Sequence, residues 1–265
     1  MSKLSFQLLV ATMNQDSFNL FDQMKLDSNA IIINQCDRNE YLFKEINGHE
    51  VNMYSFAERG VGLSRNTALM RATADIIEFA DDDMIFVKGY KDLVIEEFIN
   101  HPEADAILFS IESQNPERPL LKISRFEKIS KFRALKYGCA RLAIRREKVL
   151  YNNLAFSLLF GGGARYGSGE DTIFLQHCVN AGLKIYCSPV KVADVKQDSS
   201  SWFNGFDNKY YKDKGALFAA ALPMLCYLYA VVSVFKMKDI NHSKSQIFSM
   251  LLDGIMDYKK HQRGN

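Results

Sequence analysis

The chain has 265 residues, nearly half of them hydrophobic and about a quarter charged, with a formal net charge of +2. That length buries a core as one large α/β domain or one domain with a small appendage, and the charge gives no whole-protein argument for a nucleic-acid partner. The five scattered cysteines (Cys36, Cys139, Cys178, Cys187, Cys226) hold no C-x-x-C pair and no Cys/His spacing for zinc, so neither a disulfide framework nor a structural zinc is indicated.

Met1-Ser2-Lys3-Leu4 leads straight into a strand without the apolar stretch of a signal peptide, which with reduced thiols predicts a cytoplasmic protein. Phe6 to Ala11 is a continuous apolar run with a polar exit, followed by a helical stretch from about Asp16 to Leu26. Asn29 to Asn34 reads as a second buried strand, and Val51, Met53 and Ser55 alternate in a third. Gly62 to Thr73 reads as a helix with Ser64 near its N-cap. Asp75 to Ala80 is a strand, Lys91 to Asn100 a helix, and Asp105 to Ile111 and Cys139 to Ile144 are strands. Glu170 to Ala181 is a helix entered from a Gly-rich loop, and Leu183 to Cys187 is a strand. Strands alternating with helices predict a mostly parallel sheet with right-handed crossovers.

Two stretches stand out by charge and hydropathy. Between Lys122 and Lys148 lie ten Lys or Arg against Glu127 and Glu147, either a face for an anionic substrate or headgroup or a set of solvated faces. Ala216 to Phe235 runs twenty residues without a charge, close to the roughly 20 that span a bilayer. A core helix, an interfacial helix and a span compete, and Pro223 favours the first two. The last helix, about Ser243 to Lys260, carries Ile247, Phe248, Leu251, Leu252 and Ile255 on one face, fit to pack on the domain or lie on a membrane surface.

The chemistry concentrates in two acidic groups. Asp81-Asp82-Asp83 follows a strand, at the sheet end where α/β folds build ligand sites. Adjacent carboxylates are natural ligands for Mg²⁺ or Mn²⁺, with substrate phosphates completing the shell; a solvated turn is the plain alternative. Glu170-Asp171 opens a helix, whose dipole keeps the pair ionised and able to accept a proton. Ser168-x-x-Asp171 also reads as a capping box. Trp202, beside Phe203, Phe206, Tyr210 and Tyr211, belongs to an aromatic cluster, and an aromatic face of that kind stacks on sugars.

The pieces LLVATMNQ, IIINQCD, RGVGLSRNTALMRATADIIEFADDDMIF and GSGEDTIFLQHCVNAGLKIY, in that order, resemble the family-2 inverting glycosyltransferases of glycosyltransferase-A fold, from about Phe6 to Trp202. The resemblance implies a glycosyltransferase-A domain over residues 1–205, with a helical extension over 206–265. It implies that Asp81 and Asp83 form the D-x-D that meets a nucleotide-sugar and its Mn²⁺ or Mg²⁺, with Asp82 between them. Thr12 and Asp37 match positions that hold base and ribose, and Arg65 the basic residue near the nucleotide. Asp171 matches the catalytic base, with Glu170 touching the acceptor. Many relatives carry a metal-binding His where this chain has Lys196, which can pair with the diphosphate directly. The implied reaction transfers a sugar, from a UDP donor, to a hydroxyl of a glycan. Basic segment and apolar helix add a lipid-linked acceptor at the inner membrane face, as in capsule, lipopolysaccharide or exopolysaccharide synthesis, with Trp202 as an acceptor contact. A phosphotransferase and a non-catalytic nucleotide-binding module are the rival readings.

Overall fold

The computed structural model describes residues 4–197, 205–237 and 241–263. In chain order the first half comprises β1 (Phe6–Met13), α1 (Asn19–Gln23), β2 (Ala30–Gln35), β3 (Glu40–Ile46), β4 (His49–Phe56), α2 (Val61–Arg71), β5 (Ile76–Asp81), β6 (Met84–Phe86), α3 (Tyr90–Asn100) and β7 (Ala106–Ser113). Then follow β8 (Glu127–Lys128), α4 (Lys131–Ala134), β9 (Leu142–Arg145), α5 (Arg146–Tyr151), α6 (Glu170–Asn180), β10 (Ile185–Val195), α7 (Asn208–Ala221), α8 (Cys226–Lys236) and α9 (Lys244–Arg263).

The strands form one sheet in the order β3-β4-β2-β1-β5-β9-β7-β10-β6, with β8 paired to β10. β1 runs parallel to β2 and β5, β2 to β4, and β7 to β10. The sheet is mixed rather than mostly parallel, because β9 lies antiparallel between β5 and β7. The central strands are buried on both faces, which is why they read as unbroken apolar runs. β3, the edge strand, carries no such signal: it is exposed or half-exposed along its length and is held by antiparallel pairing to β4. The helix expected from Asp16 shortens to the single turn and a half of α1.

One anomaly lies in this core. Glu78, on β5, is fully buried and neither carboxyl oxygen has a partner. Desolvation raises it to about 8, so it is neutral at ordinary pH.

The uncharged stretch from Ala216 to Phe235 is two helices, not one. α7 ends at Ala221, Pro223 sits in the break, and α8 starts at Cys226. Among the described residues no helix is long and apolar enough to cross a membrane. α9 buries Ile247, Met250, Leu251 and Ile255 in a cluster with Tyr211 and Phe218 of α7 and Ala230 and Val234 of α8, so its apolar face is not free for a lipid surface. A second cluster joins Ala216 and Leu217 of α7 to Phe160, Tyr166 and Ile173 of the sheet domain. The helical layer is thus fastened beside the start of α6.

The basic stretch from Lys122 does not make one anion-binding face. Arg145 donates to the Ala104 and Phe98 carbonyls and Arg146 to that of Ala74. Arg125 and Arg133 pair with Glu127, and Arg141 is buried.

Candidate active site

The sheet's carboxyl end gathers the two acidic groups around Arg65. β5 delivers Asp81 and α6 delivers Glu170 and Asp171, while α2 carries Arg65 between them. Arg65 Nη1 lies 2.5 Å from Asp171 Oδ1 and 3.1 Å from Glu170 Oε1, and Nη2 lies 2.9 Å from Asp81 Oδ1. The guanidinium is buried and also stacks over the Phe156 ring, 5.3 Å from its centroid. Burial works against its charge, but Asp171, Asp81 and Glu170 outweigh that and raise its pKa further. For Glu170 the balance falls the other way: desolvation and the Asp171 charge raise its carboxyl despite Arg65.

The starts of α2 and α6 carry no side-chain N-cap from the expected serines. Ser64 is not the N-cap of α2; Gly60 is, and the Gln35 side chain accepts from its N–H at 2.7 Å. Nor is Ser168 a capping box. Gly169 is the N-cap of α6, at φ +118°, and Glu170 Oε2 accepts from its N–H at 3.1 Å. Gly161 must be glycine for a steric reason, since a Cβ there would stand 2.8 Å from the Glu170 carboxylate. Asp171 Oδ2 is the open oxygen of the pair. Among the described residues it accepts no hydrogen bond, and a Cβ added at Gly138 would stand 3.0 Å from it.

On the donor side, Thr12 donates to Asp82 Oδ2 at 2.6 Å and Gln15 donates to Thr12 at 3.1 Å. Desolvation raises the Asp82 carboxyl, with Thr12 opposing. Asp83 is pushed up to about 6 by desolvation and then by the Asp81 charge. Pairing of β6 with β10 brings Lys196 alongside, its N–H donating to the Asp83 carbonyl at 3.1 Å. Asp37 stands apart: its carboxylate is 95 % exposed, with Arg38 4.0 Å away. Trp202 lies outside the described residues.

Sequence reasoning missed a buried polar net at the ends of β1, β2 and β4. Asn34 accepts from Gln15 N–H and donates to the Gln15 carbonyl and Ser55 Oγ, and Arg38 donates to the same carbonyl. The signal was present as polar residues inside apolar strands. Their partners lie on other strands and could not be read locally.

The residues fit a divalent cation in a limited sense. Among the described residues no three His, Cys, Asp or Glu side chains gather as a metal site. Asp83, however, is a carboxylate held short of counter-charge beside Asp81, and Mg²⁺ commonly uses one or two carboxylates with substrate phosphates.

Comparisons with known proteins bear on the family and the fold. The family model Glycosyl transferase family 2 matches residues 18–157, more than half of the chain. No curated protein matches. Among solved structures, the chain is similar to S. aureus TarS 1-349 in complex with UDP-GlcNAc, at a TM-score of 0.61 and 14 % identity over 96 % of this chain and 73 % of that one. It is also similar to the same fragment in complex with UDP, at 0.58 and 14 % over 99 % and 74 %. Against the longer TarS chain the values are 0.58 and 13 % over 96 % and 43 %. At these identities the likeness establishes the glycosyltransferase-A architecture.

Proposed function

Because the chain belongs to glycosyl transferase family 2, we propose that it is an inverting enzyme moving a sugar from a UDP-sugar to a hydroxyl of a glycan acceptor. The observation that carries this reading is the convergence of Asp81, Glu170 and Asp171 on the one buried guanidinium of Arg65. It ties the donor-side carboxylates to a base in the first turn of a helix. The UDP and UDP-GlcNAc complexes of TarS support the choice of donor.

In this mechanism Asp171 is the general base. Arg65 holds Oδ1, which fixes the orientation of the carboxylate. Oδ2, facing Gly138, takes the proton from the acceptor hydroxyl as its oxygen attacks the anomeric carbon. The bond from that carbon to the diphosphate breaks on the opposite face, so the configuration inverts in one displacement. Glu170 contacts the acceptor. Thr12 and Asp82 line the nucleotide end, with Asp37 at its rim. Asp81 and Asp83 would hold a Mn²⁺ or Mg²⁺ ion, which supplies charge stabilisation to the departing diphosphate. Lys196 adds positive charge beside it.

The acceptor we infer is a lipid-linked glycan of surface-polysaccharide assembly, met at the inner membrane face. Support comes from the outer face of α8 and the turn before it, where Met224, Leu228, Val231 and Phe235 stand exposed a turn apart. Flotation with anionic vesicles should be lost in Leu228→Glu.

The central test combines nucleotide binding with turnover. UDP, but not CMP, should raise the melting temperature, more so with Mn²⁺. Asp171→Asn should cut UDP release from a UDP-sugar and acceptor by about 10²- to 10⁴-fold while UDP binding persists. Unchanged turnover in that variant would overturn the assignment of the base, and absence of nucleotide binding would overturn the reaction class.

A further inference from the structure

A cavity of about 280 Å³ lies between the helical layer and the start of α6, near the lower end of the roughly 300–1,000 Å³ usual for small-ligand sites. Its lining is about evenly polar and apolar, with Leu217, Phe218 and Leu222 from α7 and its C-cap facing Tyr229 of α8. One cation enters it, Lys214. Among the described residues Lys214 has no carboxylate within ion-pair distance, and its Nζ rests over the Tyr210 ring, 5.7 Å from the centroid. Desolvation lowers its pKa, because nothing there repays the loss of water around the ammonium. Thr172 and Ser233 supply hydroxyls to the same space, and among the described residues no acidic residue lines it.

Two lining residues stand close in the chain to the carboxylate pair and its surroundings. Thr172 directly follows Asp171, and Leu135 begins the short segment that reaches Gly138 beside Asp171 Oδ2. Leu217 packs against Gly169, the N-cap of α6, where an added Cβ would stand 2.7 Å from its side chain. The cavity and the proposed base are therefore built on the same helix, α6.

We propose that this cavity binds an amphiphile carrying a single anionic group on an apolar chain, of the alkyl or isoprenyl phosphate class, with Lys214 pairing with the anion and the α7–α8 walls holding the chain. An ammonium drawn into a cavity that is part polar and part apolar gains most from an anion that arrives with its own apolar surface. Inorganic phosphate leaves the walls wet, and a neutral chain leaves the charge unpaired. That the amphiphile is the acceptor's carrier rests on the transfer reading above; that it binds here does not.

Calorimetry with geranyl phosphate, geraniol and inorganic phosphate tests the site. Geranyl phosphate should bind the full chain at least tenfold more tightly than either of the others. Lys214→Met should weaken it at least tenfold, and Ser233→Phe, which fills the cavity from α8, should do the same. Retained UDP binding in both variants certifies the fold. Equal affinity for geraniol would show an apolar cavity without anion recognition, and equal affinity for inorganic phosphate would show that the walls contribute nothing. Either result, unaffected binding in both variants, or no binding at all overturns the proposal. Asp171→Asn should bind geranyl phosphate as the unmodified chain does. Loss of UDP binding or turnover with geranyl phosphate still bound would instead sink the transfer reading alone.

Discussion

Arg65 and Lys214 are both cations drawn away from water, and they differ in what surrounds them. Three carboxylates from two distant segments converge on Arg65. Lys214 faces a cavity whose lining, among the described residues, includes no acid. A cation whose anions are supplied by the chain is part of a pre-set arrangement, one that orients groups before any ligand arrives. A cation without them has its counter-charge left to a ligand. The contrast separates machinery from recognition within one stretch of molecule, because Thr172 of the cavity adjoins Asp171 of the cluster.

Removing the built-in cation should give the largest effect. Arg65→Met strands Glu170, whose side chain is only 12 % exposed, beside Asp171 with no counter-charge. Breaking a buried pair of this kind costs about 3–5 kcal/mol, read as a lower denaturant midpoint, and transfer should be lost with it. Arg65→Lys keeps the charge but not the fork that reaches Asp81 and Asp171 at once, so it should recover more stability than turnover. Equal recovery of both would break the claim that Arg65 orients the base.

How much of this was legible in sequence follows the same division. The central strands announced themselves through unbroken apolar runs, and Asp81, Arg65, Glu170 and Asp171 were found from motif order. Their convergence on one guanidinium was not readable, because it depends on how α2 and α6 approach across the sheet. Antiparallel β9 and edge strand β3 were misjudged because pairing direction and edge exposure leave little local pattern. Asp37 was placed by motif alone and stands exposed. The charges between Lys122 and Lys148 invited a binding face, yet several spend their donors on backbone carbonyls. Lys214 reads in sequence only as one of the basic residues flanking the uncharged stretch; the third dimension brings it to a cavity with no carboxylate in ion-pair reach among the described residues.

Glu78 sharpens the comparison from the opposite sign, as a buried anion site with neither partner nor cavity. It resolves the conflict by keeping its proton. Its folded pKa of about 8 stands above the ordinary glutamate value of 4.5, so the folded chain binds the proton that the unfolded chain has released. Stability is therefore full below about pH 4.5 and falls as pH rises towards 8. The slope approaches about 1.4 kcal/mol per pH unit, or roughly 2–3 kcal/mol between pH 6 and 8. Glu78→Gln should flatten that fall in denaturation curves taken across the window. A fall of the same size in the variant would place the titrating group elsewhere.

The smallest effect should come from the helix crossing behind Lys214. At Gly215 an added Cβ would overlap the Leu251 carbonyl of α9, and at Gly254 it would overlap that of Lys212. The two backbones touch there without side chains between them, which fixes the position of α7 and with it the cavity wall. Gly215→Ala should cost about 1–3 kcal/mol by overpacking, because the opposing atoms are backbone and cannot turn aside. Since the strain falls on α7 and not on α2 or β5, UDP binding should persist while geranyl phosphate binding weakens. Parallel loss of both ligands would mean that the helical layer and the sheet end move as one body, and that the two cations do not belong to separable sites.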